Sequence, residues 1–231
     1  MKQVDFVFFD AGGGHRAAAT ALKAVIEQNG YPWGDRRAPL VWIEQYGGDK
    51  SLLRRGMLET ELKRSGLHAL GIVLDADASA ASRWEAVRAW AKEALGDRLP
   101  EELPAEGCVI ETEEGIRFGA WLMPDNRSAG MMETFLAWLC PEDAPHILSH
   151  AHAARDEAHR LGAPFKQAHF DKALIHTWLA WQDEPGNQLH QAVKYRILRA
   201  DSPASQPFVT WFSRLYQLAP KATSNDGRVT Q

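Results

Sequence analysis

Short, almost wholly apolar runs alternate with longer stretches of mixed polarity over the first two-thirds of the chain, and then the apolar runs stop. Val4–Phe9, Pro39–Glu44 and Ala69–Asp77 are apolar for most of their length, and acids stand at or just after their carboxyl ends. Runs of this kind predict strands buried on both faces, as in a parallel sheet covered by helices. Between them, Ala17–Gln28, Lys50–Arg64 and Ser79–Leu95 mix apolar and charged positions and predict helices. Beyond an acidic, proline-punctuated loop around Pro100–Gly107, Cys108–Glu111 and Ile116–Leu122 predict a hairpin. From Met131 the pattern is helical throughout, at Met131–Leu139, Ala144–Leu161, Lys172–Gln182, Gln188–Leu198 and Ala204–Leu218. The polar residues from Ala219 predict a disordered tail.

Alternating strands and helices predict an α/β fold: a mostly parallel sheet of four or five strands with helices on both faces, followed by a helical C-terminal section on the sheet's edge. The expected division is an α/β domain over residues 1–140, a helical section over 141–218 and a tail over 219–231. Residues 1–34 of the first domain form a β-α unit with a glycine-rich turn.

Composition narrows the partners. A net charge of −4 on 231 residues gives no global attraction to nucleic acid or anionic membranes, so any such contact is a local patch. Two cysteines without a pairing pattern fit a reducing cytoplasm and no disulfide-linked partner. No apolar run approaches the roughly 18 residues of a membrane span. The amino terminus has no basic start and small-residue cleavage site, so a cytoplasmic protein is expected.

The chemistry gathers where such a sheet collects ligands, at the carboxyl ends of its strands. Asp10 ends the first strand, Glu44 the second, Asp75 and Asp77 the third, and Asp125 follows the hairpin. Two carboxylates at i and i+2 after a buried strand suit a hard cation, Mg²⁺ or Mn²⁺, which takes its remaining ligands from water and phosphate oxygens. The competing reading has Asp75 and Asp77 capping the helix that starts near Ser79. Gly12, Gly13 and Gly14 lie between a strand and a helix N-terminus, where backbone N–H groups bind phosphate. No Lys-Ser/Thr follows them, which excludes a Walker A loop, and the bland reading is a tight turn. Lys50 follows Gly47 and Gly48 at the same edge and reads as facing the anion, or as a solvated first-turn lysine.

Farther along, Asp125 or Asn126 reads as a helix cap, while Arg127 reads alternatively as neutralising a phosphate. Lys166, His169, Lys172 and His176 form a near-helical basic series that reads as a phosphate-facing patch, with Trp178 or Trp181 as a base-stacking platform. Core packing is the preferred reading of the tryptophans, because large aromatics dominate burial. His146, His150 and His152 lack a nearby acid or cysteine and read as a solvated helix rather than a metal site.

The stretches GIVLDADASAASRW (residues 71–84), FGAWLMPDNRSAGMMETFL (118–136) and KALIHTWLAWQDEPG (172–186) resemble an uncharacterised bacterial family of the Toprim-like clan. YGGDKSLL (46–53) and QPFVTWFSRLY (206–216) fit on either side, so the resemblance runs from about Pro39 to Tyr216. It implies a compact α/β sheet that binds Mg²⁺ at a D-x-D pair, here Asp75 and Asp77, and at a strand-one acid. Toprim-like chains carry glutamate at that last position, and this chain has Asp10. Residues 6–31 separately resemble the start of glycosyltransferases that transfer nucleotide sugars to lipids. The first expectation is therefore Mg²⁺-dependent phosphodiester or phosphoryl chemistry on nucleic acid or nucleotides. A non-catalytic nucleotide- or nucleic-acid-binding module is the alternative, and nucleotide-sugar binding through Gly12–Gly14 a distant third.

Overall fold

The computed structural model of the protein describes residues 4–10, 16–35, 37–46, 52–141 and 145–220. Strands β1 (Val4–Asp10), β4 (Val41–Tyr46), β5 (Leu67–Asp75), β7 (Arg117–Met123) and β6 (Cys108–Glu111) form one sheet in the order β4-β1-β5-β7-β6. β1 runs parallel to β4 and β5, β5 runs parallel to β7, and β6 pairs antiparallel with β7. The sheet is thus mixed, with the predicted hairpin supplying its antiparallel edge. A two-stranded ribbon, β2 (Gly34–Asp35) and β3 (Ala38–Pro39), precedes β4. Its turn takes Pro39 out of the predicted second strand, which begins at Val41 instead.

Two apolar layers explain why β5 is so uniformly hydrophobic. It lies between β1 and β7, and a separate apolar core covers each of its faces. Leu70, Ile72 and Leu74 join Phe118, Ala120 and Leu122 of β7 in a core with α2 (Met57–Leu62) and α3 (Ala80–Leu95). Ala69 and Val73, with Trp121 and Met123, face a second core. That core is built from α1 (Arg16–Gln28), α4 (Met132–Ala137), α5 (Pro145–Arg160), α6 (Phe170–Leu179), α7 (Leu189–Lys194) and α8 (Gln206–Tyr216). Trp178 is buried in it. α3 shows how sequence sets one of these helices. The hydroxyl of its N-cap Ser79 accepts the Ser82 N–H at 3.2 Å, and Trp84, Val87, Ala91 and Leu95 form the buried stripe.

The C-terminal section lies across a face of the sheet, not along its edge as predicted. The physical reason is a pair of glycines on the central strands. A Cβ at Gly71 falls 2.4 Å from Tyr216 Oη, and one at Gly119 falls 2.6 Å from Leu215 Cδ2, so α8 seats where no side chain intervenes. Asp5, itself buried, accepts the Ala69 N–H at 2.9 Å beneath this contact.

Burial pushes the Tyr216 phenol well above its ordinary value of 10.0; Asp5 adds to the rise, and a backbone hydrogen bond from Gly71 opposes it. The folded state therefore holds this proton more tightly than the unfolded chain. The stability linked to that proton is complete below about pH 10 and is lost as pH climbs toward the folded value. Tyr216→Phe is expected to flatten the alkaline limb of a stability-against-pH curve. A limb of the same slope in both proteins contradicts the placement.

Cys108 and Cys140 are both free and buried. Burial raises the Cys108 thiol to about 11, against the pull of Arg214, and Cys140 to about 12. Since the thiolate is the nucleophile, a disulfide reagent at pH 8 is expected to label both thiols only as fast as the protein opens. Rapid labelling of the native state contradicts it. No helix among the described residues is long and apolar enough to cross a membrane.

Candidate functional site at the strand ends

β1, β5 and β7 run in the same direction and finish side by side, which brings Asp10 and Asp75 to one edge; Glu44, expected to end the second strand, lies two residues inside β4, which continues to Tyr46. Phe9 pairs with Val73 and Asp75 with Met123, so Asp10 ends β1 one residue short of the level of Asp75 on the adjoining strand. Strand spacing and rise put their Cα atoms about 6 Å apart. The Asp10 side chain lies outside the described residues, as do Gly12, Gly13, Gly14 and Lys50.

The D-x-D backbone is clamped from two directions. The Ala76 N–H donates to the Met123 carbonyl at 3.0 Å, and Asp77 exchanges two 2.8 Å hydrogen bonds with Gly130. Asp77 is thereby held in the left-handed region, at φ 51°. The half-buried Asp75 accepts the Met132 N–H on Oδ1 at 2.9 Å, and Met132 is the first residue of α4. The more exposed Asp77 pairs with Arg83, in the first turn of α3. Neither acid caps α3, because Ser79 does so. Asp75 serves the N-terminus of α4 instead, a contact between residues 57 positions apart that no local pattern announces. The Asp77–Arg83 pair was closer to legible, being an acid and a base six positions apart across a helix start.

The other candidates divide between those with structural partners and those facing solvent. Asp125 shapes its own turn, accepting the N–H groups of Arg127 and Ser128 at 3.0 and 2.7 Å. Asn126 is buried; its Oδ1 accepts the Leu122 N–H at 2.7 Å and its Nδ2 donates to the Ala105 carbonyl at 3.1 Å. The expected helix cap at Asp125 or Asn126 is thus corrected: the side chains at the start of α4 are Thr134, which accepts the Met131 N–H at 3.0 Å, and Asp75. Arg127 is exposed and lines a cleft of about 460 Å³ with Trp84, Arg88 and Glu101.

Lys172 lies 3.3 Å from the buried Glu133, whose carboxylate it neutralises, and Thr134 donates to Asp171 at 2.5 Å. These two polar pairs join α6 to the start of α4. Near them, desolvation lowers the proton affinity of His176, with Glu133 raising it and Lys172 lowering it further. Glu44 is gripped by Arg64 through contacts of 2.6 and 3.0 Å. His146, His150 and His152 are exposed, and His150 stacks on Trp181 at 5.2 Å. Among the described residues no three His, Cys, Asp or Glu side chains gather as a metal-binding group.

A family model described as a protein of unknown function (DUF3226) matches residues 19–217, and the chain belongs to that family. The match starts inside α1, after β1 and the glycine-rich residues. No curated protein and no solved structure matches the chain.

Proposed function

We propose that the chain is a Toprim-like protein in which Asp75 and Asp77, with Asp10 on the adjoining strand, hold Mg²⁺ or Mn²⁺ for phosphodiester or phosphoryl chemistry on nucleic acid or nucleotides. The observation that carries this reading is the clamped D-x-D ending the central strand, with β1 and β7 finishing on either side of it in parallel. The donor set suits the cation. Both acids offer hard oxygen ligands, and an exposed carboxylate such as Asp77 leaves room for retained waters.

When bound, the ion polarises a phosphoryl oxygen and lowers the pKa of a ligated water. The chain's own residues prepare for this. The α4 N–H fixes the carboxylate of Asp75. Arg83 neutralises Asp77 at the mouth of the site. Arg127, exposed just beyond β7, is a phosphate contact, and Lys172 supplies another if it leaves Glu133.

A binding module without turnover is the second reading. It is favoured by the pairing of Asp77 with Arg83 and by an aspartate at the strand-one position. Incubation of the protein with a single-stranded oligonucleotide, with and without Mn²⁺, separates the two. Cleavage that requires the ion and disappears in Asp75→Asn supports the enzyme. Retention of intact oligonucleotide supports the module, and an oligonucleotide neither cleaved nor retained defeats both readings.

A further inference from the structure

We propose that the cleft between the end of α4 and residues 199–204 binds a small anion bearing a flat ring, at a site separate from the strand-end acids. The cleft encloses about 670 Å³ and is lined in part by Trp138, Cys140, Arg199, Asp201, Ser202 and Pro203. That volume falls among those of small-molecule sites. Its aromatic wall is open: Trp138 keeps 41% of its surface exposed, offering a face on which a planar ring stacks.

Among the described residues, Arg199 and Arg196 share one carboxylate, Asp201, at 3.6 and 3.8 Å. Both separations exceed the roughly 2.7–2.9 Å of a direct charge-assisted hydrogen bond. Arg199, which lines the cleft with the indole of Trp138, is therefore loosely held and is the cation an anionic substituent meets. The buried hydroxyl of Ser202 has no hydrogen-bond partner among the described residues, so rotation about its Cα–Cβ bond gives a bound acceptor an unused donor.

The walls are fixed before any ligand arrives. The Arg199 N–H donates to the Leu139 carbonyl at 2.7 Å, tying one side to the other. The Ala200 carbonyl accepts from Asn29 Nδ2 at 2.7 Å and from Ser205 Oγ at 2.5 Å. Cys140 stays protonated because burial raises it to about 12, so the cleft is built for binding and not for thiolate chemistry.

Calorimetric titration with adenosine 5′-monophosphate and with indole-3-carboxylate tests the site, with adenosine and inorganic phosphate as probes of each half alone. At least one ring-bearing anion is expected to bind saturably at one per chain, more tightly than either half. Preference between the two assigns a mononucleotide or an aromatic acid. Trp138→Ala and Arg199→Gln are each expected to weaken that binding about fivefold or more, the lower bound for stacking on one ring and for a hydrogen bond to a charged group. Trp138→Phe and Arg199→Lys retain part of it. The proposal is overturned if neither ring-bearing anion saturates the protein at millimolar concentration. It is overturned equally if well-folded Trp138 and Arg199 variants bind as the native chain does.

Discussion

Trp211→Ala is expected to lower the unfolding free energy by about 3–5 kcal/mol, the range for removing a large buried aromatic side chain. Trp211 is fully buried on α8, with ring centroids 5.6 Å from Trp121 and 5.7 Å from Phe208. Its Nε1 donates to the Cys108 carbonyl at 2.9 Å, bonding the last helix to the edge strand of the sheet. Alanine opens a cavity between helix and sheet and leaves that carbonyl without its donor. Chemical denaturation measures the loss, and Trp211→Phe separates its parts: it keeps most of the packing, removes the hydrogen bond, and is expected to cost much less. A Trp211→Ala loss below about 1 kcal/mol means that α8 does not pack as described.

Gly119→Val carries the second large effect, of the opposite physical kind. The first added carbon meets Leu215 Cδ2 at 2.6 Å, Cδ1 at 3.0 Å and Cγ at 3.2 Å. Leu215 is fully buried. Overpacking of this sort typically costs about 1–3 kcal/mol and sometimes more, and here it levers α8 off β7. Leu215→Ala alone is also destabilising, because it empties the same space. Combining the two is expected to cost less than their sum, since the new side chain occupies volume that Leu215 has left. Strict additivity means the two positions do not touch.

Much of the scaffold was legible because it is written in short-range pattern. β5 is apolar from Ala69 through Leu74 because both its faces are covered there, and Ser79 marks the start of α3 by its capping chemistry. The ribbon before β4 was missed because two residues per strand leave no periodicity to read. The seat of α8 was missed for a different reason. Gly71 and Gly119 reveal their purpose only when Leu215 and Tyr216, about 100 and 145 positions later, lie over them. At the site, the places of Asp10 and Asp75 on adjoining strand ends followed from the apolar runs before them, but the partners of the acids did not. Met132 reaches Asp75 and Lys172 reaches Glu133 through tertiary packing, and such pairs have no sequence signature.

The central claim is that Asp75 and Asp77 together form a cation site. The two carboxylates offer hard oxygen ligands to a divalent ion, and an ion that binds the folded state stabilises it by mass action. The melting temperature of the native protein is therefore expected to rise with Mg²⁺ or Mn²⁺. At ten times the dissociation constant the gain is about 1.4 kcal/mol, or about 3–6 °C for a chain of this size. Asp10→Asn is expected to reduce the response in part. The double variant Asp75→Asn, Asp77→Asn retains the oxygen that accepts the Met132 N–H, so it is expected to fold and to lose the response. An equal rise in the native protein and the double variant would contradict the account, leaving the two acids as structural anchors for α4 and Arg83.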